Sequence, residues 1–281
     1  MKKRLCRFAS IILTVLILQY AADAEAARFV HGSADTPRGR TLVFSIFASD
    51  PNYSWNMARD SDQKRMENIR AYLNVMEAYV ERVAREYGAD CDLVTDFIQE
   101  PALQYFAYFD TDMEGSEGQD EAVWGYIDAQ ISVNDMMQTM NADHCVFFVL
   151  MNTDDSTKAI TCTRNWYADM PYPYELVYLY YIDSGMVNCP AVYAHELFHA
   201  FGAPDYYMPD AEYGMDDSFV EYIAQNEPHD IMFNCSDPET GEYLYDRIEN
   251  LTGALTAYYI GLIDECPLQE ELGLEKSQHT P

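Results

Sequence analysis

Basic residues are scarce in this chain. Its 281 residues hold 17 Lys and Arg against 47 Asp and Glu, a formal charge of −30. A field of that sign repels nucleic acid and anionic membranes and favours a soluble monomer, while it attracts calcium or cationic substrates. Cysteine occurs without C-x-x-C spacing, so a zinc ribbon is not expected. Beyond the first 22 residues no apolar run approaches the roughly 20 residues of a membrane-spanning helix. There is no internal repeat and no low-complexity linker. With histidine also rare, at six residues, the two that stand four apart draw attention.

Both ends are expected to differ from the body. Lys2, Lys3, Arg4 and Arg7 precede an apolar run, Phe8 to Leu18, and small residues follow at Ala21, Ala22, Ala24, Ala26 and Ala27. This is the grammar of a secretory signal peptide, residues 1–24, with cleavage after Ala24 or Ala26. The uncharged run is too short for an anchor, and Cys6 precedes it, so no stable membrane span is expected after cleavage. Loss of that segment removes four basic residues and Asp23, which moves the charge from −30 to about −33. A polar leader (residues 25–40), a single domain (41–265) and a polar, frayed tail (266–281) are expected to follow. Export makes the remaining six cysteines, Cys91, Cys145, Cys162, Cys189, Cys235 and Cys266, candidates for up to three disulfides. Cys145, inside an apolar strand, is equally readable as a buried thiol.

Periodicity predicts the elements. Thr41 to Phe47 reads as a buried strand. Met66, Ile69, Leu73, Met76, Val80 and Val83 fall on one face of a helix from about Trp55 to Tyr87. Leu93 to Ile98 and Leu103 to Phe109 carry strand patterns, and a second helix is expected over Glu121 to Met140. His144 to Met151 is an unbroken apolar run suited to a sheet centre. Ile160 to Trp166 and Leu176 to Ile182 read as two more strands. A helix should start near Pro190, where proline is tolerated at N1. Leu251 to Ile263 reads as a last apolar helix. This alternation predicts an α+β or mixed α/β fold.

The chemistry lies in Ala194 to Tyr207, AHELFHAFGAPDYY. His195 and His199 are four apart on a helix, so both imidazoles can reach one ion, and two neutral histidines suit zinc. Glu196 stands about 100° round the helix, beside an ion rather than on it, as a general base toward a zinc-bound water requires. Gly202 can take positive φ, end the helix and return the chain beneath the metal, which brings Asp205 up as a third ligand. The HExxH core alone is a weak signal; Gly and Asp at two further fixed positions make it specific.

The extended pattern HExxHxxGxxD resembles the metzincin clan of zinc metallopeptidases, in the variant with Asp for the third His. It is most similar to the immune-inhibitor-A-like secreted bacterial peptidases, whose pattern continues to a tyrosine, here Tyr206-Tyr207. The tract His229 to Asn234 resembles the clan's Met-turn, with Met232 as the methionine under the zinc. The resemblance implies a metzincin-like α+β fold: a twisted mixed sheet with backing helices, the zinc helix, and a C-terminal subdomain with Met-turn and closing helix. It implies a secreted zinc endopeptidase with His195, His199 and Asp205 on the metal and Glu196 as base. A tyrosine among Tyr206, Tyr207 and Tyr213 would stabilise the oxyanion. The protein or peptide substrate would add as an antiparallel strand to the edge Ile160 to Trp166.

Other residues are weaker candidates. Asp110, Asp112, Glu114 and Glu121 resemble positions 1, 3, 5 and 12 of an EF-hand calcium loop, with Glu at position 5 and Glu117 where an apolar residue is usual. A solvated acidic loop is the plainer reading. His229, just before Met232, fits a turn better than a ligand position, and His31, His144 and His279 have no metal spacing. The leader is short for an inhibitory segment and has no cysteine to cap a zinc. The alternative function is a non-catalytic secreted binding or adhesion domain stabilised by zinc or calcium. Glu196 argues against it, since a structural zinc site needs no base.

Overall fold

The computed structural model describes residues 32–167 and 170–279; the expected signal segment and His31 lie outside them. Strand β1 (Gly39–Ser49) leads into a long helix α1 (Asp60–Glu86), then β2 (Cys91–Val94) and β3 (Gln104–Tyr108). Helices α2 (Gln119–Gln130) and α3 (Val133–Thr139) precede β4 (His144–Met151), β5 (Cys162–Arg164) and β6 (Leu176–Tyr180). A short pair, β7 (Ile182–Asp183) and β8 (Met186–Val187), connects to α4 (Pro190–Ala200), α5 (Asp217–Asn226), α6 (Ala254–Tyr259) and α7 (Pro267–Glu271). Six strands form one sheet in the order β2-β1-β4-β6-β5, with β3 also paired to β1. All its pairings are parallel except that of β5 with β6, so β5 is an antiparallel edge. The fold is α+β with a mostly parallel mixed sheet.

Period-two alternation sorts the central strands between two cores. Val43, Phe47, Val146, Phe148, Val177 and Leu179 face one core with α1 and α4. Leu42, Phe44, Cys145, Phe147, Leu176 and Tyr178 face the other with α2 and α3. Strands covered on both faces read as continuous apolar runs, which is why β4 was legible as a central strand. Helix α1 backs the histidine helix: Tyr79 meets Phe198 with ring centroids 6.1 Å apart, and Tyr72 meets Tyr193 at 6.0 Å.

Several expectations are corrected. The helix expected over Glu121 to Met140 is two helices, because Ile131 is extended (φ −116, ψ 116). That break lets Ile127, Ile131, Val133 and Met137 all reach the same core. The strand expected to Ile98 stops at Val94. There the Asp96 carboxylate accepts the amides of Ile98 and Gln99 and pairs with Arg70, which turns the chain away. The last apolar helix shrinks to Ala254–Tyr259 between Gly253 and Gly261, the latter at φ +76. The tail is not frayed up to residue 279: α7 forms, Ser277 is buried, and a His279 ring nitrogen lies 2.8 Å from the carbonyl of Phe201. Within the polar leader, Ser33 and Ala34 are fully buried.

The expected disulfides are absent among the described residues: all six cysteines are free thiols. They sit in separate elements, and burial pushes the thiols of Cys91 up to about 12 and of Cys162 and Cys189 to about 11. A thiol held protonated is a poor partner for disulfide exchange. Cys145 is wholly buried and packs as a small apolar side chain, the alternative reading of that residue.

Candidate metal centre

Helix α4 stops one residue after His199, and a full C-terminal motif marks the stop. The Gly202 amide bonds the carbonyl of His199 at 2.8 Å, and the Ala203 amide bonds that of Phe198 at 3.0 Å. This pair of bonds needs a left-handed residue, and Gly202 sits at φ +103. A Cβ there would lie 2.7 Å from the amide end of Gln278 and 3.3 Å from the carbonyl of Tyr259, a close fit that adds to the conformational need for glycine. The turn brings Asp205 back against the helix.

Backbone carbonyls orient both imidazoles. His195 Nδ1 lies 3.0 Å from the carbonyl of Ile231, and His199 Nδ1 lies 2.6 Å from that of Ala203. A carbonyl only accepts, so each Nδ1 carries the proton and each Nε2 turns a lone pair inward. The two Nε2 atoms are 3.0 Å apart, and Asp205 Oδ1 is 3.1 Å from each. Three acceptors packed this closely repel one another unless a positive charge sits among them. Proton affinities carry the same message. Burial pulls the His195 imidazole down, but Cys235 and Asp205 outweigh it and raise it well above its ordinary value. Burial pushes the Asp205 carboxyl up, and its hydrogen bonds to His195 and His199, formed when those rings take up a second proton at Nε2, reverse this and hold it well below the usual range.

A second carboxylate is close. Glu196 and the two histidines form a group able to hold a metal ion, with ligand atoms within 4.8 Å of one another; it is the one such group among the described residues. Asp205 makes the shorter contacts, 3.1 Å to both rings. Glu196 Oε2 is instead 2.9 Å from the hydroxyl of Thr163 on the edge strand β5. The two carboxylates therefore stand differently, Asp205 against both Nε2 atoms and Glu196 between the helix and the sheet edge.

The turn at Met232 lies beneath the histidines. Its Ile231 carbonyl accepts the hydrogen bond from His195 Nδ1, and the Met232 carbonyl accepts the amide of Tyr206 at 3.0 Å, next to Asp205. Met232 itself is fully buried. Buried Asp230 pins the turn by accepting the amides of Met232 and Gly253, both at 2.8 Å, and the Thr256 hydroxyl. That anchor escaped the sequence reading, as did Thr163 and the two carbonyls, because nothing in local spacing marks a partner so distant in sequence. His229 is exposed and lines another cavity, away from the histidine pair.

The three tyrosines separate clearly. Tyr206 is buried and its hydroxyl is 3.1 Å from that of Thr256, behind the site. Tyr213 lines the far wall, its hydroxyl 3.5 Å from the carbonyl of Gly202. Tyr207 stacks on His195 at 6.3 Å with a 24° tilt and lines the cavities on both sides of the centre. Burial, then the Asp205 carboxylate, push its phenol above the ordinary value, so it is a neutral donor at physiological pH.

The acidic loop remains a loop. Glu114 Oε1 accepts the Tyr53 hydroxyl and the Lys158 amide, each at 3.0 Å, while Asp110, Asp112 and Glu121 are exposed and Asp112 Oδ1 accepts the Glu114 amide at 2.9 Å. These four do not converge into a metal-holding group among the described residues.

No protein-family model matches the chain, and no curated protein is found to match it. What fold and site define is a class: an α+β protein whose buried helix carries a His–Glu–His group able to hold a metal ion.

Proposed function

We propose that this chain is a secreted zinc-dependent endopeptidase of metzincin type. The observation that carries the reading is the triangle of His195 Nε2, His199 Nε2 and Asp205 Oδ1, with edges of 3.0 and 3.1 Å, and Glu196 beside it. Two imidazole nitrogens and a carboxylate oxygen are a zinc donor set. Tetrahedral ligands at 2.0–2.1 Å stand roughly 3.3 Å apart, close to these edges. His195, His199 and Asp205 would hold the ion and leave one position open. A zinc ion so held would supply Lewis acidity and make water more acidic, with a pKa toward about 7.

The chain's own groups do the rest. The edge strand β5 offers unpaired backbone groups to a peptide, which adds as a further antiparallel strand. Glu196 takes the proton of the attacking water and delivers it to the leaving amine. Thr163 donates a hydrogen bond to the Glu196 carboxylate and fixes its direction. Tyr207 donates to the oxygen of the scissile carbonyl as charge develops there. Met232 and the Asp230 anchor hold the floor on which His195 is oriented. Export would follow from the signal-like residues 1–24.

The test is metal analysis of the purified protein beside its cleavage of a denatured protein. The expected result is about one zinc per chain and cleavage abolished by chelation and restored by zinc. One tightly held zinc without cleavage would move the reading to a zinc-stabilised binding domain.

A further inference from the structure

Two cavities flank the candidate centre, and their walls differ in chemistry. The larger, of about 650 Å³, lies on the His199 side and is lined by Trp166, Tyr207, Tyr213, Asp210 and Glu212 among others, with no Lys or Arg. Glu212 is exposed and Asp210 half-buried, its Oδ1 accepting the Glu212 amide at 2.8 Å. Both carboxylates act on the same wall: after burial, they are what push the Tyr213 phenol up to about 12. The cation on the neighbouring strand, Arg164, is paired with Asp120 at 3.1 Å. The smaller cavity, of about 310 Å³, adjoins His195 and presents Val192, Val187, Phe233 and Tyr243. Apart from Glu196 its one carboxylate is Asp183, occupied by the Thr161 amide at 2.6 Å and the Ser184 hydroxyl at 3.0 Å.

Strand direction orders the two. Ile160 lines only the smaller cavity and Trp166 only the larger, so β5 runs from the smaller toward the larger. A peptide antiparallel to β5 runs the other way. Its residues before the scissile bond meet the larger cavity, and those after it meet the smaller.

We propose that the larger cavity selects a cationic side chain, lysine or arginine, on the N-terminal side of the bond that is cut. Aromatic faces attract a cation through their quadrupoles, and carboxylates without an ion pair among the described residues add Coulomb attraction. The long apolar stem of such a side chain suits the rings, with its charge carried to Asp210 and Glu212. The overall charge of −30 draws cationic chains toward the cleft. The inference rests on the peptidase reading for the scissile bond and on the cavity alone for the cation.

Fluorogenic peptides differing only at the residue before the bond (Lys, norleucine or Glu) test it with the zinc-loaded full chain. Their binding is measured in parallel by fluorescence anisotropy. The expected kcat/KM ranks Lys above norleucine above Glu, with at least a tenfold gap between Lys and Glu. The double variant Asp210→Asn, Glu212→Gln should collapse the Lys-to-norleucine ratio. Hydrolysis without preference, or a ratio unchanged in the double variant, overturns the proposal and leaves the peptidase reading standing. Tighter binding of the Lys peptide without hydrolysis upholds the cation site and overturns the peptidase reading instead.

Discussion

The hydroxyl of Thr163, on the sheet edge, lies 2.9 Å from Oε2 of Glu196, on the histidine helix, although the two are 33 residues apart in sequence. The same hydroxyl is 2.8 Å from the Glu196 backbone carbonyl, so its one proton is shared between them. Strand and helix are thus joined at the group proposed to carry the proton. Thr163 is a positioning residue: it touches the base, not the substrate. Replacing Thr163 by Val keeps the shape and removes a hydrogen bond to a charged group, worth about 1.5–3 kcal/mol. The expected loss is roughly tenfold to a hundredfold in kcat at unchanged zinc content, with KM little altered and the acidic limb of the pH profile shifted. Equal kcat in the variant would remove Thr163 from the mechanism.

Asp205→Ala tests the third ligand. An outer partner of a metal ligand costs roughly 10- to 100-fold in affinity when removed, and a direct ligand should cost more. Competition with a zinc indicator measures it. An affinity within a few-fold of the parent would leave the ion to the histidines and Glu196.

Glu175 gives a pH test away from the centre. Its buried Oε2 accepts the amides of Ser33 and Ala34 and the Ser33 hydroxyl at 2.6 to 2.9 Å. Even so, burial raises its pKa from 4.5 to about 7. A carboxyl raised in the folded state contributes stability that is full below about pH 4.5 and lost as pH rises through about 7. Across that window the parent should lose ~3 kcal/mol relative to Glu175→Gln. Urea titrations of both proteins at pH 5 and pH 8 measure the difference; parallel curves would contradict the assignment.

Ser45 and Thr41 pose a packing question. Both lie on β1 in the sheet interior, and neither hydroxyl has a hydrogen-bond partner among the described residues. A buried hydroxyl without a partner costs about 1–3 kcal/mol, so its removal need not destabilise. Ser45→Ala should leave the denaturation midpoint unchanged or raised. A loss above ~1 kcal/mol would mean that Ser45 has a partner, such as an ordered water.

What could be read in advance followed from local physics. Strand β4, the spacing of α1, the proline start of α4 and the glycine that ends it all depend on neighbours within a turn or two, so the sequence carries them openly. The histidine pair belongs to the same kind. Asp205 was legible only through Gly202, whose left-handed turn makes a six-residue spacing into a 3.1 Å contact with His199. Helix α5 also starts on a local signal that the hydrophobic pattern alone does not show: Asp216 caps it by accepting the amides of Ser218 and Phe219. What was not legible depends on distant pairing. Thr163, the carbonyl of Ile231 and Asp230 have no such local mark, since their roles arise only once sheet, helix and turn are packed together. The same holds for the tail, where His279 returns to the end of α4 at Phe201.

The central claim is that Glu196 moves the proton in a zinc-dependent hydrolysis. The direct measurement is the rate of peptide cleavage by Glu196→Gln at zinc content equal to the parent. The account predicts a fall of roughly a hundredfold to ten-thousandfold, with zinc binding and the urea midpoint retained. Cleavage at the parental rate with zinc still bound would contradict it.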